Sequence, residues 1–283
     1  LRRLHEAGRL SASEVAAARR LPVSSDVCVE ADSGGHTDGG VSLALLPAMV
    51  RLRNELSTAL QLDEAIHIGA AGGLGSPEAI AAAFVLGAQF VLTGSINQCT
   101  PQAGTSAVVK DLLAEMDVHD TAYAPAGDMF ELGARVQVVR RATLFPARAN
   151  QLYQIYRSHE NLEGLGASVA ATVERYLGQS LEEVWNLSAE RLKHRPSELE
   201  RTARDGKARM ARVFKWYFSR SIESALAGDV AERVNFQIHS GPALAAFNAF
   251  ARGSSLECWQ ARHVDLVAQE LMAQAEHCLA SQS

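Results

Sequence analysis

Up to about residue 100, short apolar and β-branched runs alternate with longer segments whose apolar positions recur at helical spacing. The runs are VCVEA at 27–31, IHIGAA at 66–71 and FVLTGS at 90–95. Each is short and is followed by a turn and a helical segment, the rhythm of parallel βα units. The first strand leads through a glycine loop into a helix spanning LALLPAMVRLRNEL. The second leads into a helix with clear punctuation: Ser76 as N-cap, Pro77 at the first helical position, Glu78 in the first turn and Gly87 at the C-terminal end. Its body, AIAAAFVL, is apolar almost all round, which suits a helix packed between a sheet and a neighbour.

From about residue 128 the strand signal fades and amphipathic helices take over. They are MFELGARVQVVRRATLF, ARANQLYQIYRSH, SLEEVWNLSAERLK, ARMARVFKWYFSRSIESAL, PALAAFNAFARG and HVDLVAQELMAQAEHCL. The expected architecture is α/β, with βα units over residues 1–127 and a helical region over 128–283 packed on them. At 47% hydrophobic and 21% charged, the chain has enough apolar material for a sizeable core. A net charge of −5 argues against a nucleic-acid binder, and no apolar run approaches the roughly 18 residues of a membrane helix. The N-terminal LRRLHEAGRL reads as a charged helix and not as a secretory signal. Cys28, Cys99, Cys258 and Cys278 are far apart and form no CxxC pair, so free thiols in a reducing, cytoplasmic setting are expected.

The strongest chemical signal is for phosphate. In IHIGAAGGLGSPEAIAAAF a strand ends in GAAGGLG and a capped helix begins at once. Backbone N–H groups and the positive end of a helix dipole then converge where glycines allow close approach. The next strand ends in a second small-residue turn, Thr93-Gly94-Ser95. Two consecutive strand ends of this kind resemble the phosphate site that (β/α)8 barrels build after their last strands. No GK[ST] is present, which removes a P-loop, and no clean GxGxxG is followed by an acid at the right distance. Gly-rich turns also arise for tight packing alone.

A second signal is EADSGGHTD, residues 30–38, where His36 follows paired glycines with Asp32 and Asp38 on either side. A histidine so placed is either bonded to loop backbone or held for acid–base work, with an aspartate orienting its other nitrogen. A metal site is the weaker reading, because Asp32, His36 and Asp38 share no regular element and lack a further ligand. Asn97 and Gln98 read as helix-start caps or as ligand contacts, and Asp128, Met129 and Phe130 as a roof over a site or, for the last two, as core. Between Arg191 and Arg220 there are ten Lys or Arg against three Asp or Glu, either a solvated helix face or a dock for an acidic partner.

EADSGGHTD, AAGGLGSPEAIAAAFVLGAQFVLTGS, the following NQ, PAGDMFELGARVQV and the late FQIHSGPALAAFNAFARGS together resemble the trans-acting enoyl reductases of polyketide and polyunsaturated fatty acid synthases. These belong to the wider nitronate monooxygenase (2-nitropropane dioxygenase) superfamily. The resemblance implies an FMN-dependent barrel in which NADPH reduces the flavin and hydride passes to the β-carbon of a 2-enoyl thioester. It implies His36 as the active-site histidine, Gly34 and Gly35 beside the flavin, Ala71, Gly72 and Gly73 at its phosphate, and Thr93, Gly94 and Ser95 as the second phosphate turn. Where nitronate monooxygenases carry Gln and Glu ahead of the histidine loop, this chain has Glu30 and Asp32.

A complete barrel has eight strands in about 250 residues. With three strand ends and no initiator methionine, the resemblance implies that residues 1–127 are the C-terminal portion of a (β/α)8 TIM barrel, about strands 6–8. The missing N-terminal barrel half would then lie on the same or a separate chain. The implied partner is an acyl carrier protein docking on the basic helices through Arg204, Lys207 and Arg212, with a homodimer also expected. The alternatives are a nitronate monooxygenase using the same pocket, or a truncated non-catalytic chain that keeps only the carrier dock.

Overall fold

In the computed structural model, which describes residues 1–281, the elements run α1 (Arg2–Glu6), α2 (Ala12–Ala18), β1 (Asp26–Glu30), β2 (Gly35–His36), α3 (Ser42–Leu60), β3 (His67–Ala71), α4 (Pro77–Val85), β4 (Phe90–Leu92), α5 (Ala107–Ala114), β5 (Thr121–Pro125) and β6 (Arg135–Val139). They continue with α6 (Phe145–Ser158), α7 (Ala167–Leu177), α8 (Leu181–Arg191), α9 (Pro196–Arg204), α10 (Gly206–Ala227), α11 (Pro242–Ala251) and α12 (Val264–Ala280). Gln282 and Ser283, the end of the expected helical region, lie outside the described residues. The fold is mixed α/β with a helical region. Its chain forms two compact units, the first of residues 1–33, 39–94 and 265–283, the second of 34–38 and 95–264.

The first unit holds a parallel sheet in the order β1-β3-β4, built from the three strands that the sequence pattern predicts. Helix α3 packs on β1 and β3, and α4 on β4. The predicted punctuation of α4 is present: Pro77 opens it, and the Ser76 hydroxyl accepts from the Ala79 N–H at 3.3 Å. Gly69 makes room for the Phe90 ring, which a Cβ there would meet at 2.2 Å and force to shift.

The second unit holds an antiparallel sheet in the order β2-β6-β5. Strand β6 corrects the sequence reading, which takes MFELGARVQVVRRATLF as one helix. Gly133, at φ +71°, ends a short 3-10 turn over Phe130–Leu132, and the β-branched run Val136, Val138 and Val139 then pairs with β5. Behind the sheet, α10 packs against α6, α7, α8 and α9. Phe130, Phe145, Phe214, Tyr217 and Phe218 are buried together, with Phe130 5.1 Å from Tyr156 and 5.4 Å from Phe218 between ring centroids. Such rings dominate core energetics through their area and edge-to-face contacts.

Tyr217 is 1% exposed, stacks on Phe145 at 5.7 Å and donates to Asn235 Oδ1 at 3.2 Å. Burial, opposed by the nearby Arg148 charge, pushes its phenol up to about 12. A folded pKa above the unfolded value of about 10 favours the fold fully below that value, and the advantage is lost as pH rises towards 12. Urea unfolding followed by circular dichroism across this range should show the wild type losing roughly 2–3 kcal/mol more than Tyr217→Phe. Parallel curves for the two proteins would refute it.

Candidate functional site

In the first unit, the register Ala71↔Leu92 puts the ends of two parallel strands side by side, so the loops after β3 and β4 leave the same sheet edge. Gly72 and Gly73 follow with φ +84° and +74°. At Gly72 a Cβ would also lie 2.5 Å from the Ala31 carbonyl oxygen, so this position needs glycine on two grounds. A Cβ at Gly73 or Gly94 would meet nothing within 4 Å, and both residues are exposed. Neighbouring strand ends, open backbone at both turns and the start of α4 fit a phosphate held by amides, with no basic side chain required.

In the second unit, His36 lies in a strand and not in a free loop: β2 pairs with β6 through Gly35↔Gln137 and His36↔Val136. The carboxylate bonded to the ring is that of Asp128, whose Oδ1 is 2.8 Å from His36 Nε2, a partner the sequence reading of Asp32 or Asp38 does not include. Asp128 sits in the connection between β5 and β6, and pairing of β2 with β6 brings that connection to the histidine. Burial works to raise the Asp128 carboxyl pKa, but the His36 hydrogen bond and charge, with the Asp128 and Met129 amides, outweigh it and hold the group below the usual carboxylate range. Next in sequence, Phe130 is fully buried core, while Met129 is 36% exposed.

A second imidazole stands beside the first. The rings of His36 and His239 are 6.4 Å apart and nearly perpendicular, and His239 bridges to Val138 of β6. Burial, and after it the His36 charge, push the His239 pKa down, with Asp128 opposing. Gln237 Nε2 lies 2.7 Å from His239 Nε2; with the amide so turned, a neutral His239 accepts there and carries its proton on Nδ1. The stretch FQIHSGP contributes to the family resemblance, yet sequence reasoning does not single out this histidine; the available signal was His-Ser-Gly directly ahead of the helix-opening Pro242. Ser95 Oγ accepts from the Gly241 N–H at 3.0 Å, and a Cβ at Gly34 would lie 2.5 Å from that Oγ and 2.6 Å from the Gly241 nitrogen. Gly34 and Ser95 therefore close a tight backbone junction. Asn97 and Gln98 lie in a 3-10 turn over Ser95–Cys99.

The basic stretch is less uniform than its sequence. The Lys207 ammonium donates to the carbonyls of Tyr156 and His159 and lies 4.4 Å from the Tyr156 ring centroid. Arg220 donates to the Leu177 carbonyl and pairs with Glu232, and Arg209 stacks on Trp185. These cations tie helices together. Arg201, Arg212 and Lys215 line a cleft that also contains Glu131, Glu198 and Asp205. Among the described residues, no helix is long and apolar enough to cross a membrane.

Comparison with known proteins agrees with the motif-level resemblance. The chain is 38% identical to the enoyl reductase domain of MlnA from the macrolactin biosynthesis cluster of Bacillus amyloliquefaciens, with a TM-score of 0.92 over 99% of this chain and 63% of that one. It is 48% identical to the polyketide biosynthesis protein PksE of Bacillus subtilis, over 97% of this chain and 36% of that protein. It is 49% identical to the polyketide biosynthesis protein ThaF of Burkholderia thailandensis, over 99% of this chain and 24% of that protein. A polyunsaturated fatty acid synthase protein of Thraustochytrium is 38% identical over 91% of this chain and 18% of its own length. The chain thus spans about a third or less of the curated relatives it matches. Residues 159–236 match a family model described as the inserted helical domain of [acyl-carrier-protein] S-malonyltransferase, the segment that contains α7 to α10. The chain is therefore similar in sequence and fold to an enoyl reductase domain of a polyketide cluster.

If His36 holds Asp128 as the geometry requires, removing the imidazole leaves burial opposed only by the Asp128 and Met129 amides. In His36→Ala, the Asp128 carboxyl, followed by carbon-detected NMR, should titrate at higher pH than in the wild type. An unmoved titration would mean that the pair does not persist in solution.

Proposed function

We propose that this chain is the His36-bearing part of a trans-acting, FMN- and NADPH-dependent enoyl reductase for 2-enoyl thioesters carried on acyl carrier protein. The observation that carries the reading is the His36–Asp128 pair directly behind Gly34-Gly35. In this reading the parallel sheet of residues 1–127 is the C-terminal part of a (β/α)8 barrel, with further strands supplied by sequence outside these residues. The flavin phosphate would be held by the turns at Gly72, Gly73, Thr93 and Gly94. Bound FMN, reduced by NADPH, supplies the hydride that the β-carbon of the enoyl thioester receives.

The chain's own residues manage the charge that develops on the thioester oxygen and α-carbon. The Asp128 carboxylate, 2.8 Å from His36 Nε2, orients the ring so that the imidazole serves the thioester oxygen as a hydrogen-bonding or proton-passing group. His239, half-buried and with its pKa pushed down, adds a second donor without adding charge. Among the basic residues, Arg201 and Arg212 are the better candidates for meeting an acidic carrier, because Lys207 is engaged with backbone carbonyls.

Two measurements test this. Gly94→Asp puts a carboxylate into the second turn where a Cβ meets no neighbour, so it should abolish flavin retention while leaving the melting temperature unchanged; normal flavin content would refute the phosphate assignment. Ser95→Asp would not separate the two effects, since it also disrupts the Gly241 bond. In stopped flow, His36→Ala should still be reduced by NADPH yet reduce an enoyl thioester at least ~100-fold more slowly. Unchanged reduction of the thioester would remove His36 from the mechanism.

A further inference from the structure

Within the second unit a cleft runs between α5, α10 and the segment around His239. Val109, Ile222 and Leu226 give it aliphatic walls, and Gln98, Thr105 and Gln237 give it hydrogen-bonding side chains. His239 also lines it, so the cleft reaches the imidazole that stands 6.4 Å from His36. Gln237 is 5% exposed; its Nε2 is held by His239, but its Oε1 is buried with no hydrogen-bond partner. A buried amide oxygen left open is costly unless something donates to it. Whichever way the amide is turned, one of its polar atoms binds His239 and the other is left for a ligand.

We infer that this cleft receives the pantetheine arm of the substrate thioester, with Gln237 hydrogen-bonding an arm amide. The inference builds on the proposed enoyl-thioester reaction and adds which part of the substrate lies here. Pantetheine alternates amide groups with short aliphatic stretches and a gem-dimethyl group, and the cleft combines amide and hydroxyl side chains with Val109, Ile222 and Leu226. A plain acyl tail would satisfy the aliphatic walls and leave Gln237 unpaired. An arm lying against His239 brings its sulfur end towards His36, where the thioester oxygen needs a donor.

The test uses the full chain and two saturated thioesters that cannot be turned over, butanoyl-pantetheine and butanoyl-N-acetylcysteamine, the second lacking the distal part of the arm. Calorimetry should show the pantetheine thioester binding about tenfold tighter, the scale of one satisfied hydrogen bond with some apolar contact. Gln237→Leu and Leu226→Trp should each erase that preference. Leu226 is 56% exposed, so its replacement fills the cleft mouth at a position where folding is not at stake. The ratio of KM values for the two but-2-enoyl thioesters should collapse in the same variants. Equal binding of both thioesters by the wild type, or a preference that survives both substitutions, overturns the inference. So does a Leu226→Trp effect that grows with acyl length on N-acetylcysteamine thioesters, which would make this the acyl pocket. Selective binding without reduction would uphold the cleft and sink the reductase reading; reduction without selectivity would do the reverse.

Discussion

The second unit depends on one strand. Strand β6 pairs with β5 on one side and with β2 on the other, and its Val138 bridges to His239. Every group proposed for chemistry in this unit is thereby referred to the same five residues: His36 opposite Val136, Asp128 on the connection that leads into β6, and His239 beside Val138. Phe130 fixes that connection from behind, fully buried among Tyr153, Tyr156, Phe214 and Phe218. A carboxylate that is itself solvent-exposed is thus aimed by a ring two residues away in the core.

Electrostatically, the two imidazoles are made unlike by their surroundings. His36 is exposed and paired with a carboxylate, while His239 is half-buried and bonded to a neutral amide. In the proposed reaction one side chain type would therefore serve two purposes a few ångströms apart, a proton-handling group beside a carboxylate and a donor beside an amide. Desolvation makes this division, since water around His239 would remove the cause of its lowered pKa.

Local signals made the first unit legible in the sequence. The three parallel strands, the Ser76 and Pro77 start of α4 and the two glycine turns all announce themselves within a few residues. His36 was equally visible, because paired glycines ahead of a histidine are a local feature. Its partner was not: Asp128 is 92 positions away, and only antiparallel pairing through a strand read as helix brings it near. That misreading has a physical source, since Phe130, Val136 and Val138 can be laid on a helical face while the β-branched run and Gly133 argue for a strand. His239 escaped for the same reason, its significance being a contact across β6 and not a motif. The net positive stretch from Arg191 to Arg220 was legible only as a total, because a count of charges does not register that Lys207 and Arg220 donate to backbone carbonyls.

The chain crosses between its two units after residues 33, 38, 94 and 264. Cleavage of the backbone after Gly94 would yield a shorter piece carrying residues 34–38 of the second unit and a longer piece carrying residues 265–283 of the first. Neither piece would own a complete unit, so recovery of the native structure would require reassociation, as in split-reporter complementation.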